Sequence, residues 1–222
     1  MDTKESLQQK IRSILKSAAK GFSHHWDKFV VAGLGFCLIC GGIWYTLRWT
    51  EPEETAIRQK IVETAEIYLG CNETDGSHQQ IVDFYNTYEP SPQDYKVTYE
   101  DNWCAAFGSA AALKTGLDSI IPMECSCEQQ ILLFDAMDCW REDECYLPRP
   151  GDYIYYVRDE WRIGDCTAWA NHVGIVTDTF GPIIKVIEGN KDDQVAYRYI
   201  FLNDITIRGF GLPDYEGILN SK

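Results

Sequence analysis

The chain has 222 residues, enough for one medium-sized domain with a buried core plus appendages. Hydrophobic residues make up 45% and aromatics 13%, which is too apolar for a disordered chain. The net charge of −14 argues against nucleic acid as a partner, because that role needs a basic stripe.

The charge is unevenly spread. Residues 1–28 hold six Lys/Arg (Lys4, Lys10, Arg12, Lys16, Lys20, Lys28) against three acids (Asp2, Glu5, Asp27), a balance of +3; 14 basic and 31 acidic residues, or −17, remain for the rest. Leu7, Ile11, Ile14, Leu15 and Ala18 recur at helical spacing between the lysines, which predicts a basic amphipathic segment at a membrane surface. Residues 29–47 follow, 19 positions without a charge. At ~1.5 Å per residue they reach roughly 28 Å, about one hydrocarbon core. Trp26 stands at one edge and Trp44, Tyr45 and Trp49 at the other, where interfacial aromatics belong. The apolar run is longer than that of a usual signal peptide, and no Ala-x-Ala-like cleavage site follows it. Residues 29–49 are therefore expected to be an uncleaved transmembrane signal anchor in the lipid bilayer, with residues 1–28 cytoplasmic and the acidic body outside.

Residues 50–96 read as a linker with leading helices. Ile57, Ile61, Ala65 and Tyr68 share one helical face, closed by Gly70. Ser77-His78-Gln79-Gln80 has the pattern of a capping box before a helix over 81–85. Asn102 is placed to cap a helix over 103–114 with Gly116 just beyond, and a further helix is expected over 127–137. After Pro150-Gly151 the period changes, and 152–157, 172–179, 183–188, 195–200 and 205–210 read as strands. Helices first and an antiparallel sheet second give an α+β domain over 97–222.

Nine cysteines are present, Cys37 and Cys40 inside the span and Cys71, Cys104, Cys125, Cys127, Cys139, Cys145 and Cys166 in the body. An exported body permits disulfides, and an odd number leaves at least one thiol unpaired. The loose cluster from Cys125 to Cys166 lacks the paired spacing of a structural zinc site, so no metal is expected.

Cys104 falls at the start of the predicted Ala-rich helix, where free backbone N–H groups and the helix dipole favour a thiolate, the nucleophilic form of cysteine. Taken alone, a cysteine in such a helix is more often packing. His172 opens an apolar strand, which would hold a general base rigidly. A lone His at a strand edge is more often a polar surface residue, but His24 and His25 fall on the cytoplasmic side of the expected anchor and His78 in the predicted cap, so His172 is the best candidate for the base by elimination. Glu188 ends the next strand and is placed to orient the imidazole, although an acid before Gly-Asn is also ordinary turn chemistry.

Trp103-Cys104-Ala105-Ala106-Phe107, Pro150-Gly151-Asp152-Tyr153-Ile154, His172-Val173-Gly174-Ile175-Val176 and Ile187-Glu188-Gly189-Asn190 together resemble the CHAP family of cysteine, histidine-dependent amidohydrolases/peptidases, a branch of the papain-like superfamily. The resemblance covers about residues 97–215. It implies a papain-like fold with N-terminal helices packed on an antiparallel sheet, Cys104 as nucleophile, His172 as base, Glu188 as orienting acid and Asn190 as a further site residue. It also implies cleavage of an amide bond in peptidoglycan, either between muramic acid and L-alanine or within the peptide stem or cross-bridge, by a cysteine hydrolysis that needs no cofactor. The extra cysteines and the insert over 158–170 depart from the family pattern. A membrane-anchored module that binds wall peptides or a protein without cleaving them is the rival from another class.

Overall fold

The computed structural model describes residues 52–143, 146–157 and 169–220. The basic segment 1–28, the anchor 29–49, Cys145, Cys166 and most of the insert before His172 lie outside the described residues. No helix among the described residues is long and apolar enough to cross a membrane.

The protein is α+β. Helices α1 (Pro52–Glu66), α2 (Gln79–Tyr85), α3 (Cys104–Thr115) and α4 (Cys127–Ala136) precede the sheet. Its strands are β1 (Trp140–Arg141), β2 (Tyr153–Tyr156), β3 (His172–Phe180), β4 (Ile183–Glu188), β5 (Ala196–Phe201) and β6 (Ile207–Gly211), followed by α5 (Tyr215–Asn220). The sheet runs β1-β6-β2-β3-β4-β5, and every neighbouring pair is antiparallel. The five expected strands form within one or two residues of their predicted bounds. The two-residue strand β1 and the short helix α5 have too little periodicity to be read from sequence.

Strand β2 explains the layering. Its four residues, Tyr153-Ile154-Tyr155-Tyr156, are all buried. Tyr153 and Tyr155 face the helices, and Ile154 and Tyr156 face a second cluster with Val176, Val186 and Phe210. A strand covered on both faces has no polar alternation to show. The Tyr153 hydroxyl donates to the Gly108 carbonyl of α3 at 2.7 Å, and the Tyr155 hydroxyl donates to Gln130 Oε1 of α4 at 2.8 Å. Two tyrosines of one strand thereby fix two helices over the sheet.

Helix α3 is Ala-rich because it is buried almost all round. Ala105, Ala106, Ala110, Ala111 and Ala112 are fully buried, and a Cβ on Gly108 would stand 2.8 Å from the Tyr153 ring. Larger side chains there would hold α3 off the sheet. Gly116 ends the helix in the left-handed conformation expected of it (φ 72°).

Two expected caps do not form. Trp103, not Asn102, occupies the N-cap of α3 and makes no side-chain cap bond, so Cys104 is the first helical residue. The Ser77 box is also absent. Asn72–Ser77 folds as its own turn, in which the Ser77 hydroxyl accepts from the Asn72 N–H, and α2 starts at Gln79 with no side-chain cap. Local hydrogen bonding has outcompeted the cap.

Pro150-Gly151-Asp152 turns the chain into β2 and is pinned from several sides. Asp152 is fully buried, accepts from Arg58 Nη1 at 2.7 Å and from the Tyr146 hydroxyl at 2.6 Å, and takes the Arg149 N–H at 2.7 Å. Arg58 also binds Glu54 at 2.7 Å and stacks on Tyr215, whose hydroxyl donates to the Gly151 carbonyl.

Candidate active site

Cys104 and His172 arrive from different elements, the first residue of α3 and the first residue of β3. Each side chain acts on the other's titration, which sets the thiol and the imidazole side by side. His172 Nε2 meets Glu188 Oε2 at 2.9 Å, which leaves Nδ1 as the ring nitrogen for Cys104. The residues are 4%, 3% and 0% exposed respectively, so the chain of bonds is nearly dry and each bond is strong.

Strand pairing brings Glu188 to His172. β3 and β4 run antiparallel with Ile175 opposite Ile187. Gly174 permits the approach: a Cβ there would lie 2.7 Å from Glu188 Cγ and 2.5 Å from Val186 Cγ1. Gly189 plays the same part on the helix side, where a Cβ would lie 2.4 Å from Phe107 Cβ. These two glycines let α3, β3 and β4 converge on one point.

The electrostatics follow from the contacts. The Cys104 thiol is held well below its ordinary value, first by the hydrogen bond with Cys127 and then by His172 and the Val173 N–H, against burial, which acts the other way. For His172, burial disfavours the charge, but bonds to Cys104 and Glu188 prevail and raise its value. For Glu188, burial raises and the bonds to His172 and Arg198 lower, with a net fall. All three shifts favour a thiolate beside an imidazolium, backed by a carboxylate.

The structure brings Cys104, His172 and Glu188 together. Asn190 stands in the turn after β4 at φ 52° and takes no part in the bonds that join His172 to Glu188 or Cys104 to Cys127. His78 is buried closer to the site than its position in the sequence suggests, 5.7 Å from the Trp103 ring. Both its ring nitrogens face backbone carbonyls, those of Asn72 and Tyr99, so it serves the framework beneath Trp103.

Two participants escaped the sequence reading. Arg198 on β5 donates from Nε to Glu188 Oε1 and from Nη2 to Glu188 Oε2 at 3.0 Å. Its signal was a lone base two residues from Ala196, which pairs with Glu188 in register. Cys127 lies 3.7 Å from Cys104, sulfur to sulfur. Its signal was Ser126, an N-cap that accepts from the Gln129 N–H and makes Cys127 the first residue of α4. All five described cysteines apart from those outside the structure, namely Cys71, Cys104, Cys125, Cys127 and Cys139, are free thiols, so no disulfide forms among the described residues. No group of three or more His, Cys, Asp or Glu among the described residues is arranged to hold a metal ion.

No family model and no curated protein matches the chain. Among solved structures it is similar to one described as the crystal structure of Ly7917, at 13% identity and a TM-score of 0.34, over 50% of this chain and 53% of that one. The chain thus spans about half the length of that protein, and at that TM-score the likeness carries no conclusion about fold or function.

Proposed function

We propose that this protein is a membrane-anchored cysteine amidohydrolase or peptidase with a papain-like, CHAP-type catalytic domain, acting on peptidoglycan. The observation that carries the reading is the buried His172–Glu188 hydrogen bond with the Cys104 thiol, at the uncapped start of α3, beside it. The substrate class comes from the sequence resemblance to the CHAP family, and the anchoring from the apolar segment 29–49.

The chemistry follows from the geometry. The Cys104 thiolate attacks the amide carbonyl carbon, and the C=O pair moves onto oxygen. The N–H groups at the start of α3, which no side chain caps, are the donors for the oxyanion in this reading. His172, protonated at rest, gives its proton to the leaving amine nitrogen as the C–N bond breaks, leaving a thioester on Cys104. Neutral His172 then takes a proton from water, whose oxygen attacks the thioester and frees the acid and Cys104. Glu188 holds the ring in one orientation and stabilises its charge through both halves of the cycle.

The test is digestion of purified peptidoglycan with wild type and Cys104→Ala, with mass spectrometry of the soluble products. Wild type releases fragments bearing a new amine and a new carboxyl, which identify the bond cut; Cys104→Ala releases none. Equal release by both proteins would sink the catalytic reading. Retained sedimentation with the wall by both, without release by either, would favour the binding module.

A further inference from the structure

Helices α3 and α4 begin with a cysteine each, and their N-terminal ends meet. The Cys104 and Cys127 sulfurs are 3.7 Å apart, and the residues are 4% and 8% exposed. No other described cysteine occupies such a place. Cys71 lies by Gln80, Cys125 precedes α4 and is only partly buried, and Cys139 follows the far end of α4. To form a disulfide the sulfurs must close from 3.7 Å to roughly 2 Å. The frame around the pair is tied independently of it: Ser109 Oγ of α3 donates to the Glu124 carbonyl at 2.7 Å, and Gln130 of α4 donates to the Pro122 carbonyl at 2.9 Å. The pair can therefore react without unfolding either helix.

We infer that Cys104 and Cys127 are an oxidative modification site, in which Cys127 resolves the oxidised nucleophile as a reversible disulfide. The inference rests on Cys104 being the reactive thiol of the proposed hydrolase. The oxidant is a hydroperoxide. The Cys104 thiolate attacks the terminal peroxide oxygen, the O–O bond breaks, and the alkoxide or hydroxide leaves and takes a proton, giving Cys104 sulfenic acid. Cys127 sulfur then attacks Cys104 sulfur. The S–O bond breaks, the sulfenic hydroxyl and the Cys127 proton leave as water, and the disulfide remains. The two sulfurs lose two electrons in all, and the peroxide gains them. A dithiol returns the electrons and restores both thiols. The disulfide removes the nucleophile and stops hydrolysis, yet it also bars the route to sulfinic acid, which is irreversible by thiols.

The experiment treats the purified, reduced full-length chain with hydrogen peroxide and maps its cysteines by mass spectrometry, with iodoacetamide labelling before and after dithiothreitol. Wild type yields one peptide pair joining Cys104 to Cys127, loses Cys104 labelling, and regains it with dithiothreitol. Cys127→Ser yields no such pair, accumulates Cys104 with two added oxygens, and does not recover. Wild type that reaches the two-oxygen product as fast as Cys127→Ser, or that joins Cys104 to another cysteine, overturns the inference without reference to how the variant folds. Hydrolysis is scored separately. A Cys104–Cys127 disulfide in a protein that releases no wall fragments when reduced would uphold the pair and sink the hydrolase reading. Cys104-dependent release without the disulfide would do the reverse.

Discussion

Arg198 Nη2 donates to Glu188 Oε2 at 3.0 Å, and the same oxygen meets His172 Nε2 at 2.9 Å. Glu188 is fully buried, and a carboxylate there stays ionised only because cations sit on it from two strands. Arg198 is a positioning residue that acts through Glu188 on His172. Replacing it with Met removes a charge-assisted pair of about 1.5–3 kcal/mol, equivalent to roughly 10–100-fold in rate if the whole of it bears on the transition state. Arg198→Met should lower peptidoglycan solubilisation by that order. It should also move the acid limb of the pH–rate profile upward, because Glu188 then takes up a proton at higher pH. Arg198→Lys should recover part of the rate, since it keeps the charge and loses the two-pronged contact. A loss of rate with an unmoved acid limb would show that Arg198 only braces the sheet.

The pH dependence of the thiol itself follows from the directions already given. Cys104 is lowered, so its thiolate persists as pH falls below the usual thiol range. His172 is raised, so the imidazolium persists as pH climbs above its usual range. Both shifts widen the range in which the ion pair holds, and hydrolysis should be bell-shaped, with His172 setting the alkaline limb and Cys104 the acid limb, a limb that Glu188 takes over once Arg198 is removed. Cys127 is the first cause of the lowering, so Cys127→Ala should shift the acid limb of iodoacetamide labelling upward, toward an ordinary thiol. Rates of labelling across pH for wild type and Cys127→Ala check this; superimposable curves would refute the role given to Cys127.

How much of this was legible in the sequence depended on whether the cause was local. The strands over 183–188 and 172–179 stood out through their apolar composition and turn residues, and with them came the Glu188–His172 pairing. Helix α3 was also visible to within a residue, through its run of small residues and Gly116 at its end, although its cap was not. What was missed depends on contacts distant in sequence. Arg198 reaches Glu188 across a strand register, and Cys127 reaches Cys104 only because Tyr153 and Tyr155 seat two helices side by side. Asn190 came from the family resemblance alone, and it lies in the left-handed turn after β4, at φ 52°.

Arg58 and Asp152 give a stability prediction far from the chemistry. Their 2.7 Å bond is buried at both ends, with side chains 8% and 0% exposed. Arg58→Ala strands a buried carboxylate that retains only the Tyr146 hydroxyl and the Arg149 N–H. The expected cost is about 3–5 kcal/mol in urea unfolding. Asp152→Asn placed on top of Arg58→Ala should return part of that loss, since it removes the stranded charge. A double variant no better than the single would mean that Arg58 contributes through its stacking on Tyr215 and not through the ion pair.

Gly189 links packing to the site most directly. A methyl group there would lie 2.4 Å from Phe107 Cβ and 2.9 Å from the Trp103 ring, and neither neighbour has room to retreat, because both are buried at the start of α3. Gly189→Ala must therefore push the end of β4 away from α3, and that end carries Glu188. Overpacking of this kind costs about 1–3 kcal/mol, which for a domain of this size lowers Tm by several degrees. The variant should still fold, and its hydrolysis should fall by more than its fraction folded, because the displacement separates Glu188 and His172 from Cys104. Alanine at Gly181 is the control: its Cβ would meet nothing within 4 Å, although its φ of 59° adds backbone strain. Gly181→Ala should lower Tm and leave the rate per folded molecule unchanged. Thermal melts and peptidoglycan release measured on both variants decide the matter, and equal specific activities would show that the close approach at Gly189 serves stability alone.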